Sequence, residues 1–78
     1  MKPLKYDRHA RRRMKERGVS EEEAACVIVN PDSCEPSIKG RVNAFQFIHG
    51  RYIRVTYKEE ADHILVITVT IRKKPFKG

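Results

Sequence analysis

Two periodicities divide the chain. Between residues 7 and 30 the apolar positions recur at helical spacing, Ala10 with Met14 in one stretch and Ala24 with Ile28 in the next. Asp7 is placed to cap a first helix that runs to about Glu16 or Arg17, where Gly18 supplies the stop. Ser20 with Glu23 forms a capping box, which opens a second helix that Asn30-Pro31 ends. Beyond that point β-branched and aromatic residues alternate with polar ones. The alternation predicts a weak strand near Cys34 to Ile38, then strands over Val42 to His49, Arg51 to Lys58 and His63 to Arg72. Lys39-Gly40, His49-Gly50 and Glu59 to Asp62 are the turns between them. The layout is α+β: two N-terminal helices packed on an antiparallel sheet of three to four strands, with room for a short extra strand at Pro3 to Tyr6.

Alternation also assigns faces. On the last strand Leu65, Ile67, Val69 and Ile71 form a wholly apolar set expected to meet the helices. On the strand before it the apolar set is Ile53, Val55 and Tyr57. Met14, Ile28, Val55, Ile67 and Val69 are therefore the expected core. If the registers match, Arg54, Thr56, Thr68, Thr70 and Arg72 share one polar, basic sheet surface. Of the aromatic residues only Tyr52 is clearly placed there, which weighs against base stacking. On the first helix His9, Arg13 and Arg17 run along one flank of the core stripe, and Arg8, Arg11, Arg12 and Lys15 point outward.

At 78 residues the chain has room for a single domain spanning 1–78, and its small core would gain from association into a homo-oligomer. The formal charge of +7 is unevenly placed. Residues 2–17 carry eight Lys or Arg against two acids, and the C-terminal end adds Arg72, Lys73, Lys74 and Lys77. Two basic ends brought together would attract polyanions, RNA and DNA first, an acidic protein next and anionic lipid last; a solubilising coat is the plainer reading. No apolar run reaches the length of a membrane span and the first residues lack a signal-peptide core, so a cytoplasmic protein is expected. Cys26 and Cys34 show no zinc or disulfide spacing and are expected as reduced thiols.

The acids sit at a helix start (Glu21, Glu22, Glu23) and in a turn (Glu59, Glu60, Asp62), which disfavours a metal-dependent nuclease. No nucleotide-binding or nucleophile-elbow fingerprint is present, and no metal or cofactor is expected. One reaction needs neither: cleavage of RNA by attack of its own 2′-hydroxyl, which asks for a base, a proton donor and cations for the phosphorane charge. Of the three histidines, His9 lies among arginines, His49 beside a hairpin glycine and His63 at the mouth of the last strand; His9 is the leading base.

The run His9-Ala10-Arg11-Arg12-Arg13-Met14-Lys15-Glu16-Arg17-Gly18-Val19-Ser20 followed by Glu22 and Glu23 resembles the signature H-A-x-x-R-M-x-x-R-G-[IV]-[ST]-x-x-E of the family known as domain of unknown function 4258. Asn30-Pro31, Gly40-Arg41, the stretch from Gly50 to Val55 and the stretch from Val66 to Val69 match it downstream. That family is similar to the RelE and BrnT toxin ribonucleases, and the resemblance implies two helices on a curved antiparallel sheet. The polar positions carried over are His9, Arg13, Arg17, Arg54 and Thr68; at Asp7 the family often has Ser or Thr. The combined expectation is an RNA-binding protein with metal-independent, toxin-type ribonuclease activity. Proton transfer falls to His9 and phosphate charge to Arg13 and Arg54. Arg12, Arg17, Thr68, Arg72, Lys73 and Lys74 would hold the RNA, and an acidic antitoxin would be a partner. The alternative is a non-catalytic nucleic-acid-binding or partner-binding module on the same surface. A helix on one sheet face does not easily share a cleft with the other face, so His9 with Arg13 ranks ahead of Arg54.

Overall fold

The computed structural model describes residues 2–74. Its elements are β1 (Leu4–Tyr6), α1 (Arg8–Arg17), α2 (Glu21–Val29), β2 (Ser33–Pro36), a single 3₁₀ turn (Ile38–Gly40), β3 (Arg41–Ile48), β4 (Arg51–Glu59) and β5 (Ile64–Arg72). The helix ends follow from local chemistry. Asp7 Oδ1 accepts the His9 backbone N–H at 3.1 Å and so caps α1. Gly18 takes the left-handed conformation (φ 67°) in which its N–H turns back to the Lys15 and Met14 carbonyls. At the start of α2 the Glu23 N–H reaches Ser20 Oγ at 3.0 Å while the Ser20 N–H reaches Glu23 Oε1 at 2.9 Å, the reciprocal capping box. Pro36 closes β2 before Ile38, which enters the 3₁₀ turn in place of the strand expected there.

The sheet has five strands in the order β1-β5-β4-β3-β2, and it is mixed. This corrects the expected antiparallel sheet of three to four strands: β1 runs parallel to β5, with Leu4 opposite Ile64 and Tyr6 opposite Val66. The pairing is fastened at both ends, by the Ile64 N–H on the Pro3 carbonyl at 2.9 Å and the Asp7 N–H on the Val66 carbonyl at 3.0 Å. β1 passes directly into α1, and its partner lies near the other end of the chain. Neither the partner nor its direction is written in the local pattern of so short a strand. Both helices lie on one face, α1 chiefly against β5 and α2 against β3 and β4. There Ala10, Met14, Val27 and Ile28 pack on Ala44, Ile53, Val55, Val66 and Val69.

A second correction concerns β5. The register passes from Thr56 opposite Thr68 to Tyr57 opposite Val66, which leaves Ile67 as an extra residue in a β-bulge. A bulge inverts the phase of alternation. Ile64 and Val66 face the helices before it and Val69 and Ile71 after it, so Leu65 and Ile67 leave the expected core while Met14, Ile28, Val55 and Val69 are buried. Val66→Ala is therefore expected to lower the urea midpoint clearly, a loss of about 2 kcal/mol for two buried methyls plus the space they leave. Ile67→Ala is expected to cost less than half of that, and an equal effect would place Ile67 in the core.

Candidate nucleic-acid interface

Side chains that pair across antiparallel strands share a face, so the register assembles the surface opposite the helices. One row runs Phe47, Tyr52, Arg72; the next Ser33, Phe45, Arg54, Thr70; the third Glu35, Asn43, Thr56, Thr68, so the face carries one carboxylate beside its cations. The matched registers that would unite Arg54, Thr56, Thr68, Thr70 and Arg72 are thus present. Arg54 Nη2 donates to Thr70 Oγ1 at 3.4 Å, and Thr56 Oγ1 donates to Asn43 Oδ1 at 2.7 Å. Lys73 and Lys74 follow β5 as exposed residues beside the first row, and Lys77 lies outside the described residues. Neither helix covers this face.

The helical residues lie elsewhere. His9 is exposed in the first turn of α1, and Arg13 is half-buried with Nη1 at 3.4 Å from Glu16, which also faces Arg12 Nε at 3.5 Å. Arg11 binds Glu21 at 3.3 Å and lies over the Tyr6 ring. Arg17 is half-buried, and its Nε makes no hydrogen bond among the described residues. Since α1 packs on the helical side of the sheet, His9 and Arg13 do not converge with Arg54. The three histidines are dispersed as well: His63 Nδ1 meets Asp62 at 2.7 Å and His49 Nδ1 meets Glu23 at 2.6 Å. Asp7 serves the backbone of α1 through its cap.

Arg51, which no sequence motif assigns a role, ties the two layers together. Its Nη1 donates to the Arg17 carbonyl at 2.9 Å, and its Nη2 to the Gly18 carbonyl at 3.3 Å and to Glu23 Oε2 at 3.1 Å. One guanidinium thus closes the end of α1 and pairs with the first turn of α2. The Glu23 carboxyl is held down from the ordinary 4.5 to about 2, first by the Ser20 backbone N–H, then by His49, with Arg51 adding its charge against the effect of burial. Beside this junction a shallow cleft of about 340 Å³ is lined by Ser20, Glu22, Glu23, Cys26, Ile48 and His49. Two carboxylates in its wall make it a poor receptor for phosphate. Among the described residues no three His, Cys, Asp or Glu side chains gather as a metal site.

Phe45 and Phe47 are residues of this uncovered face that the sequence expectation leaves out. A signal for them exists in the two-residue turn His49-Gly50: closing a hairpin there sets Phe47 opposite Tyr52 and Phe45 opposite Arg54, so assigning Tyr52 and Arg54 to the polar face assigns both rings. Alternation on β3 alone does not separate them, because Val42, Ala44 and Ile48 make the other face apolar too.

Fold and surface together define a small α+β protein with helices on one side of a mixed sheet and a basic, partly aromatic face on the other. The chain belongs to the family described as Domain of unknown function (DUF4258), which it matches over residues 6–71. No curated protein and no solved structure matches it. Among the described residues no helix is long and apolar enough to cross a membrane.

Proposed function

We propose that the protein binds RNA through the sheet face that the helices leave uncovered. One observation carries the reading: the register sets Arg54 and Arg72 among the hydroxyls of Thr68 and Thr70, with Lys73 and Lys74 at the margin. Cations supply affinity for phosphate, and short hydroxyl side chains supply hydrogen bonds to phosphate and sugar without bulk. Binding without cleavage is the form favoured, because His9 and Arg13 belong to the helical layer while Arg54 belongs to the sheet face. The toxin-type ribonuclease that the likeness to RelE and BrnT implies is read in the same experiment, as metal-independent scission that His9→Ala abolishes.

The test is binding of a labelled RNA by the full chain across a salt series. Affinity is expected to fall steeply with salt. Replacing Lys73 and Lys74 together by Ala is expected to reduce the log–log slope by about 1 to 2, as two lost phosphate contacts require. A flat salt response, or a slope unmoved by the double variant, would remove phosphate contact from this end of the sheet.

A further inference from the structure

The uncovered face is not uniformly polar. In the row nearest the β3–β4 turn, the Phe47 and Tyr52 rings lie 4.6 Å apart between centroids with their planes tilted by 52°. Phe47 is 52% exposed although the opposite face of β3 already supplies the core. Phe45 lies one row further along the same strand, opposite Arg54. Val29 and Ile38 are exposed too, but Phe47 differs from them in lying against a second aromatic ring on the same face as the cations, where the two rings offer one apolar surface to a partner. The cations stand on the other side of this corner: Arg72 is opposite Tyr52, and Lys73 and Lys74 follow it. β3 and β5 flank β4, so the ring margin and the cation margin are separated by two strand spacings, about 10 Å. Aromatic surface and positive charge side by side complement a molecule with flat apolar groups on one side and an anionic backbone on the other.

We propose, resting on the RNA-binding reading above, that this corner takes single-stranded RNA, with unpaired bases laid against Phe47 and Tyr52 and the backbone drawn toward Arg72, Lys73 and Lys74. Bases in a duplex are stacked on one another and offer no free face to a side chain, whereas bases of a single strand do. The cations serve both forms. The rings therefore carry the preference for a single strand, and Phe47, the more exposed, carries most of it.

The experiment compares the full chain and its variants by fluorescence anisotropy on a labelled oligouridylate, alone and annealed to its complement. Wild type is expected to bind the single strand more tightly than the duplex. Phe47→Leu, which keeps apolar bulk and removes the ring, is expected to weaken single-strand binding on the order of 5- to 100-fold. Duplex binding and the salt slope should stay as they were, and Phe47→Tyr should retain affinity. Thermal melts of both variants check that the fold is kept, which an exposed side chain favours. Equal affinity for both forms, or a Phe47→Leu protein that binds like wild type, overturns the stacking assignment and leaves RNA binding standing. No salt-sensitive binding to either form ends the RNA reading itself. Polyglutamate bound as tightly as RNA and weakened by Phe47→Leu would assign the corner to an acidic protein instead.

Discussion

Ile53→Ala is expected to cost about 2–5 kcal/mol, a large share of the stability of so small a domain, and to lower the denaturation midpoint more than any other single truncation considered for this protein. Ile53 is fully buried and is among the largest side chains that are. It sits on β4 between Gln46 of β3 and Ile71 of β5. The strand is central and cannot move toward a helix without breaking two ladders, so the vacated volume would remain as a cavity. Chemical denaturation followed by circular dichroism gives the number. Val29→Ala, at a residue 59% exposed at the end of α2, is the control expected to leave the midpoint in place.

Arg51→Ala is expected to cost about 1–3 kcal/mol, since it leaves the Arg17 and Gly18 carbonyls and the Glu23 carboxylate without a shared donor. Arg51→Lys should recover only part of this, because an ammonium does not span three acceptors as a planar fork does. The same junction fixes the acid response. Glu23 has its carboxyl depressed to about 2 in the folded protein, so its ionised form contributes stability above the ordinary value of 4.5, and that contribution is lost as pH falls from 4.5 toward 2. Denaturation midpoints measured from pH 7 down to pH 2 should therefore decline more steeply in this window for wild type than for Glu23→Gln. A decline of equal size in both would assign acid sensitivity to other carboxylates.

The helices were legible because their signals are local. Asp7, Gly18, Ser20 with Glu23, and Asn30-Pro31 each set a boundary through a hydrogen bond or a backbone restriction within a few residues. The β3–β4 hairpin was legible for the same reason, through His49-Gly50. What escaped depends on partners far along the chain. Leu4 to Tyr6 can be suspected of being a strand, but nothing in three residues names β5 or a parallel direction. The bulge at Ile67 escaped because Ile64, Leu65, Val66 and Ile67 are all apolar, and an unbroken apolar run carries no phase to read. The site divided along the same line. Arg54, Thr68, Thr70 and Arg72 are grouped correctly by alternation even though the phase ahead of the bulge is inverted, since Thr68, Thr70 and Arg72 lie beyond it and Arg54 pairs with Thr70. His9 and Arg13 stand out by charge density on one helix, which says nothing about which sheet face lies nearby. Arg51 is not legible in the sequence because its three acceptors come from two other elements.

The parallel junction of β1 with β5 also bears on how the molecule is born. Translation delivers α1 early, but the surface that α1 packs on is chiefly β5, which emerges after all the other described elements. Until then the nascent chain shows the apolar stripe of Ala10 and Met14 with nothing to lay against it. The sheet cannot complete its β1 edge from any shorter product, since the strand that Leu4 to Tyr6 joins has yet to be made. Packing of α1 therefore waits for β5 and comes together with closure of the β1 edge, at the slower pace of contacts between distant positions.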